Sequence, residues 1–360
     1  MFLSDKTPLV SVDIGSHSIK LAQLRPSGKG YELLNFGMMP LEYESIVDGV
    51  VQNMDNVVDT LRNLLKAENI TTQYAVASVA GEAVIIKKIK IPFMTDAELE
   101  DAIYQEAEQY IPFDIDDVRI DFQKLGAAGR NGKSPVVSEP GGEMEVLLVA
   151  VQNEIIDLRA DILLEAGLKP CIIDLDVFAM VNAASLVRDL DQMGTVALID
   201  LGSSFTHVNI LVNGVSTFTR DIPLGGVACT ESLMSAFSLS FKEAEAVKQG
   251  HLKPELDKEA AVNYIVQSFD KILEDVKKSF DFFHSTTNEK VEEVLLCGGG
   301  ALINGVQDLF FEKLGIPVDT LDLTPALKFS SRKFDRETIS HMGPIATVAL
   351  GLGTRKFDYK

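Results

Sequence analysis

No apolar run in the chain approaches the roughly 18 residues that a membrane-spanning helix needs. The most continuous, VLLVAV at 146–151, has the length of a buried strand. Basic residues are in deficit: 33 Lys and Arg face 53 Asp and Glu, a net charge of -20. That balance argues against nucleic acid or anionic lipid as a direct partner, because both require clustered cations. It leaves open a basic partner, or a nucleotide bridged by Mg²⁺. Cysteine is scarce. Cys171, Cys229 and Cys297 are odd in number and lack metal-ligand spacing, so reduced, buried thiols are expected rather than a disulfide framework or thiolate metal site. The opening MFLSDKTPLV has neither a basic flank before an apolar core nor a small-residue cleavage site, which predicts no signal peptide and a cytosolic chain. What remains is a globular composition, and 360 residues give room for two lobes with a sizeable core.

Residues 12–24, VDIGSHSIKLAQL, join two apolar runs through a Gly/Ser knot, with Asp13 at its entrance and Lys20 just beyond. Alone, this is a β-hairpin whose polar residues are turn punctuation. Its repetition changes the reading. VALIDLGSSFTHVNILVNG at 196–214 repeats strand, Asp, apolar residue, Gly, Ser, turn and strand, matching Asp13 with Asp200, Gly15 with Gly202 and Ser16 with Ser203. Two such hairpins predict a duplicated α/β unit facing a common cleft. Each Gly permits a tight turn whose N–H groups make an anion nest. Each Asp, at a strand end, suits the waters of a phosphate-bridging Mg²⁺. Lys20, on the same strand face as Ser18, is placed to return its ammonium to phosphates. A third cluster, VEEVLLCGGGALINGVQDLF at 291–310, runs from an apolar strand through Gly298, Gly299 and Gly300 into a helix with Leu302, Val306 and Leu309 on one face. Missing Cβ atoms there allow close approach of a nucleotide. The dinucleotide fingerprint G-x-G-x-x-G is absent from it.

In this order the segments resemble the motifs of the actin-like ATPase superfamily: a first phosphate hairpin at Asp13–Lys20, a connecting helix at Asp174–Ala183, a second phosphate hairpin at Asp200–Thr206, an adenosine motif at Gly298–Gly300, and a closing helix, PIATVALGLG, at 344–353. The resemblance implies an α/β fold of two lobes around a cleft holding ATP and Mg²⁺, with Asp13 and Asp200 on the metal's waters. The nucleotide-binding set it implies is Asp13, Gly15, Ser16, Ser18, Lys20, Asp200, Gly202, Ser203, Ser204, Thr206, Gly226, Gly298, Gly299 and Gly300. Glu245 and Lys248, at i and i+3 in EAEAVKQG, match a pair that grips adenosine; the alternative is a surface salt bridge. Asp176, in DLDVFAMVNA, matches the residue that positions the attacking water, and is shorter than the Glu often found. The alternative for Asp176 is a helix cap.

An inserted subdomain is expected over 82–165. Thr95 and Glu98 form a capping box, Leu99, Ala102, Ile103, Ala107 and Tyr110 line one helix face before Pro112, and strands and a second helix near 153–166 complete it. The remaining boundaries follow: first-lobe core over 1–81 and 166–192, second-lobe core over 193–226 and 291–340, a second-lobe subdomain with adenosine contacts over 227–290, and a closing segment over 341–360 returning to the first lobe. An insertion in this place resembles FtsA and the type IV pilus assembly protein PilM family. QYIPF at 109–113, TRDIPLGG at 219–226 and the overall length favour the PilM family; FtsA-like chains end in an amphipathic membrane helix, whereas this chain stops at GLGTRKFDYK.

That resemblance implies a cytoplasmic, ATP-binding part of the pilus inner-membrane platform, peripheral to the membrane through its partners. It would dock the N-terminal cytoplasmic peptide of PilN in a groove between the first lobe and the insertion. Other platform components and a second copy of the chain are further contacts, and hydrolysis is expected to be weak or absent. Three readings compete: an FtsA-like division protein, a small-molecule kinase of the superfamily, and a scaffold without nucleotide. The kinase lacks an evident catalytic Asp outside the hairpins, and the scaffold is disfavoured by Asp13, Lys20 and Asp200. Ten acidic residues from Asp96 to Asp121 accompany one Arg, giving either a solvated helix face or a surface for a basic partner. AAGRNGKS at 127–134 ends like a P-loop, but Ala127 replaces the first Gly and Pro135 follows, so a flexible hairpin loop is expected. His17, at the first knot's tip, is expected to be a solvated turn residue.

Overall fold

The computed structural model describes residues 9–28, 30–125, 142–251 and 256–356; AAGRNGKS, expected as a flexible loop, lies outside them. From the first described residues the chain forms β1 (Val10–Ile14), β2 (Ser18–Ser27), β3 (Gly30–Pro40), the short pair β4 (Ile46–Val47) and β5 (Val50–Val51), α1 (Met54–Ala67) and β6 (Tyr74–Val79). Then come β7 (Val84–Pro92), α2 (Asp96–Ala107), β8 (Val118–Leu125), β9 (Glu143–Gln152) and α3 (Asn153–Glu165), followed by β10 (Lys169–Leu175) and α4 (Asp176–Ala184). The remainder contains β11 (Thr195–Leu201), β12 (Thr206–Val212), β13 (Val215–Ile222), α5 (Gly226–Phe237), α6 (Phe241–Lys248), α7 (Lys258–Thr287), β14 (Glu293–Cys297), α8 (Val306–Leu314), β15 (Val318–Thr320), β16 (Leu327–Phe329), α9 (Arg336–Ile345) and α10 (Thr347–Leu352).

Val79–Arg159 forms one compact unit, and the chain on either side of it forms the other. The larger unit holds two sheets, ordered β10-β6-β1-β2-β3-β16 and β13-β12-β11-β14-β15. Their central strands follow one plan. β1 pairs antiparallel with β2 and parallel with β6, as β11 pairs antiparallel with β12 and parallel with β14. The third strand, β3 or β13, continues each meander antiparallel. β1 is buried on both faces, although Ser11 and Asp13 share one of them, and so is most of β11, the pattern of strands covered on either side.

One buried cluster runs through both lobes. It takes Ala22, Leu24 and Val76 from the first sheet, Val196, Leu198 and Leu211 from the second, and Ala179, Met180, Val348, Ala349 and Leu352 from the two helices shared between them. α4 and α10 cross so closely that a Cβ on Gly351 would lie 1.8 Å from the Ala179 carbonyl oxygen, which only glycine avoids. Arg355, just past α10, grips Asp174 before α4 through Nε at 2.6 Å and a second guanidinium nitrogen at 2.9 Å. The second lobe adds its own core, where Phe269, Phe283 and Phe310 are fully buried; each such ring contributes about 1.5–3 kcal/mol of transfer energy.

The connecting helix is shorter at its start than expected: Asp174 and Leu175 end β10, and α4 begins at Asp176. The closing helix is broken at Ala346 into α9 and α10. Cys229 and Cys297 are buried free thiols, whereas Cys171 is partly exposed, contrary to the expectation for it.

The smaller unit stacks α2 on the three-stranded antiparallel sheet β7-β9-β8. Thr95 caps α2 in a reciprocal box with Glu98. Leu99, Ile103 and Ala107, one turn apart, bury against Ile89, Ile91, Met144, Val146 and Leu148. Most carboxylates from Asp96 to Asp121 point into solvent.

Candidate functional site

The two knots are tight hairpins with the same closure. Gly15 N–H donates to the Ser18 carbonyl at 3.2 Å, and Gly202 N–H to the Phe205 carbonyl at 3.0 Å. In the first, register sets Asp13 directly opposite Lys20, and the Lys20 ammonium lies 3.1 Å from Asp13 Oδ2. Both side chains are largely shielded, at 10% and 15% exposed, so the pair is weakly screened. In the second, the same register sets Asp200 opposite His207. β13 then adds a carboxylate that the first sheet lacks: Asp221 stands opposite His207, its Oδ1 2.6 Å from His207 Nδ1.

These charges act on one another. Burial alone would lower Lys20, but Asp13, and behind it Asp200 and Asp176, outweigh that and hold the ammonium above its ordinary range. Burial pushes the Asp200 carboxyl up to about 6, with Asp13 and Asp176 adding to the push and His207 and Lys20 opposing it. Burial would also lower His207; the hydrogen bond and charge of Asp221, helped by Asp176 and Asp200, carry it instead to about 9. At neutral pH the paired hairpins therefore bring together an ammonium and an imidazolium among a larger number of carboxylates. Among the described residues, no three His, Cys, Asp or Glu side chains gather closely enough to ligate an ion directly. A cation held through water by Asp13 and Asp200 is the arrangement this donor set fits.

Asp176 is the first residue of α4, one place after its N-cap, Leu175, so it is not the helix cap. Ser18 is buried and Ser16 half-buried. Ser203 and Ser204 form the second turn; the carbonyls of Gly202 and Ser203 accept from the N–H groups of Gly226 and Val227 at 2.9 Å each, which pins the start of α5 to this hairpin. Thr206 is fully buried, its hydroxyl donating to the Leu224 carbonyl at 2.8 Å.

Glu245 and Lys248 are not a surface bridge. Their side chains are only 13% and 10% exposed and lie 2.6 Å apart. Lys248 also donates to the Gly226 carbonyl and to Thr230 Oγ1, and Thr230 donates to Glu245. A capping box, Ser240 with Glu243, starts the helix that carries the pair. Gly298 follows β14 with φ +81°, where a Cβ would lie 2.1 Å from Asp200 Oδ1; Gly299 faces open space, and Gly300 packs on Leu201 and Phe269.

The sequence reading misses three residues here. His207 and Asp221 take their places from register across three strands. Spacing finds the first: His207 stands seven residues after Asp200, as Lys20 does after Asp13. His17, expected in solvent, is half-buried and faces Phe241 of α6, with ring centroids 6.3 Å apart. Burial lowers its pKa, against the pull of Glu245 and with the push of Lys248 and Lys20.

Comparison with known proteins agrees with this architecture. Among solved structures, the PilM-PilN type IV pilus biogenesis complex superposes with a TM-score of 0.82 at 26% identity, covering 96% of this chain and 97% of that one. MreB5 of Spiroplasma citri bound to AMPPNP shares the fold at a TM-score of 0.51 and 14% identity, covering 96% and 95%. Cell division protein FtsA of Bacillus subtilis (strain 168) is 24% identical over 336 residues, 83% of this chain and 75% of FtsA. The family model for type IV pilus assembly protein PilM matches residues 11–357, and the chain thus belongs to the PilM family, with an actin-like fold.

Proposed function

We propose that this chain is an ATP-binding component of the type IV pilus inner-membrane platform that docks the N-terminal cytoplasmic peptide of a PilN-like protein. The observation that carries this reading is the match along nearly its whole length to a protein solved as a PilM-PilN complex. Nucleotide binding is supported by the paired hairpins and by a neighbour of the same fold that carries AMPPNP. In this reading the N–H groups of Ser16, His17, Ser203 and Ser204 meet phosphate oxygens. Lys20 and His207 supply positive charge to them, and Asp13 and Asp200 hold Mg²⁺ through water. Gly298, Gly299 and Gly300 let the adenosine approach the backbone, and the Glu245–Lys248 pair braces α6 beside it. No helix among the described residues is long and apolar enough to cross a membrane, so the membrane connection would come through PilN. The exposed acidic face of the smaller unit suits Lys or Arg flanking the apolar anchors of such a peptide.

Asp176 is the only side chain assigned to the attacking water, and its reach is short. Chemical turnover is accordingly expected far below the ordinary enzyme range of about 1–10³ per second, and the output is conformational: ATP and peptide each shift the other's affinity. Titration calorimetry on the full chain tests both ligands. Mg-ATP and the PilN peptide should each give saturable heat, with the peptide's Kd changed by saturating Mg-ATP. No heat at millimolar Mg-ATP from folded protein rejects the nucleotide assignment; no heat from the peptide rejects the docking assignment.

A further inference from the structure

Residues 41–53, between β3 and α1, are braced as a body of their own. The Ser45 carbonyl accepts from the N–H groups of Gln52 and Asn53, at 2.9 and 3.2 Å. Asn56 Oδ1, on the first turn of α1, accepts from Ser45 Oγ at 2.8 Å and from Glu42 N–H at 3.1 Å. Between these anchors β4 and β5 fold back through Asp48 and Gly49, both with positive φ.

This segment crosses both phosphate hairpins. It begins on the first, where Leu41 N–H donates to the His17 carbonyl at 2.9 Å. Its turn rests on the second: a Cβ built on Gly49 would stand 3.5 Å from Phe205 Cε2. Tyr43 then reaches the second lobe, its ring 4.2 Å from that of Phe241 and its hydroxyl donating to Glu231 Oε1 at 3.1 Å. The lobes are already joined through the buried cluster around α4 and α10, so the molecule does not need these contacts to stay together. Tyr43 is also 43% exposed. One tilted ring pair and one hydrogen bond at the surface make a contact weak enough to open thermally.

We propose that residues 41–53 are a strap, clasped by Tyr43 to Phe241 and Glu231, that must lift before a nucleotide enters or leaves the cleft. The proposal rests on the nucleotide reading above. Its signature is kinetic: weakening the clasp speeds entry and exit together and leaves Kd nearly unchanged, whereas loss of an ordinary ligand contact raises koff alone.

Two measurements on the full chain test it. The sequence has no Trp, so Phe241→Trp installs a single fluorescent reporter in the clasp. Acrylamide should quench it weakly in the unliganded protein and several-fold more strongly once Tyr43→Ala is added. With Phe241 restored, stopped-flow with mant-ATP and Mg²⁺ should show kon and koff both rising about tenfold in Tyr43→Ala, about 1.4 kcal/mol of clasp energy. Tyr43→Phe, which keeps the ring and loses the Glu231 bond, should give two- to threefold, as should Glu231→Ala, which removes the acceptor. Unchanged rates in a chain that binds mant-ATP overturn the strap alone, and a tenfold rise in koff at constant kon overturns it too. A reporter quenched equally with and without Tyr43 shows no clasp and overturns it as well. If the native chain binds no mant-ATP, the nucleotide reading and the strap's role fall together.

Discussion

The two Gly/Ser hairpins share backbone, register and turn closure, yet they differ in the residue that faces the aspartate. The first sets Lys20 against Asp13, a fixed positive charge paired once. The second sets His207 against Asp200 and backs it with Asp221 from a third strand; the residue opposite Lys20 on β3 is Met38. A duplicated strand-turn-strand unit thus preserves where a cation stands but not which group supplies it. An imidazole at this position is a cation at neutral pH chiefly because the third-strand carboxylate of Asp221 stabilises its charged form, with Asp176 and Asp200 adding to it.

The largest test of this contrast is Lys20→Met. Asp13 is then left buried beside an apolar chain, and removing one partner of a shielded pair costs about 3–5 kcal/mol. Urea unfolding should show that loss at every pH from 6 to 9, and Lys20→Met with Asp13→Asn should recover most of it. A cost below about 1 kcal/mol would mean that Asp13 finds another partner and that the first hairpin does not depend on its lysine.

His207 gives the next effect, and it depends on pH. In the folded state His207 titrates near 9, against about 6.5 in an unfolded chain. A raised folded pKa stabilises fully below the unfolded value and is lost as pH rises through the folded one. Stability should therefore fall between about pH 6.5 and 9, by on the order of 3 kcal/mol. Asp200, raised to about 6, works in another window: its protonated form favours the fold at low pH, and that gain is lost as pH rises from about 4 through 6. The groups facing His207 are Asp221, Asp200 and Asp176. His207→Gln should remove the slope above pH 6.5, and Lys20→Met should keep it. If the slope survives in His207→Gln, the imidazolium is not its source.

Much of this site is legible in the sequence because its parts are local. An apolar strand, an Asp, a Gly/Ser turn and a second strand lie within 16 residues, and the same pattern recurs later, so Asp13, Lys20 and Asp200 can be found by alignment of the chain with itself. α2 is legible for the same reason, its capping box and buried face lying within 13 residues of each other. Asp221 is not: it enters only when β13 pairs with β12, through a register that shifts at Ile210 and Leu211. The His17 and Tyr43 contacts with Phe241 join residues about 200 positions apart, which no periodicity announces. The break between α9 and α10 comes where the Pro344 carbonyl is taken by the Gly298 N–H at 2.8 Å and the Thr347 hydroxyl at 3.0 Å. The 344–353 pattern, starting at that proline, reads as one continuous helix.

The smallest expected difference lies in the turns themselves. At Gly15 an added Cβ would stand 3.4 Å from Lys20 Nζ and from the Ser18 carbonyl, a contact that a flexible ammonium relieves. At Gly202 it would stand 2.7 Å from the Phe205 carbonyl oxygen. That oxygen cannot retreat easily, because it accepts the hydrogen bond that closes the turn, and the adjoining carbonyls of Gly202 and Ser203 are held by α5. Gly202→Ala should therefore cost about 1–3 kcal/mol, the range for forced overpacking. Gly15→Ala should stay within about 1 kcal/mol, since relief of unfolded-state entropy offsets part of the contact. Thermal melts of the two single variants decide the matter: a clearly lower Tm for Gly202→Ala than for Gly15→Ala is expected. Equal shifts would mean that the start of α5 does not pin the second hairpin, and that the two turns differ only in the charges they carry.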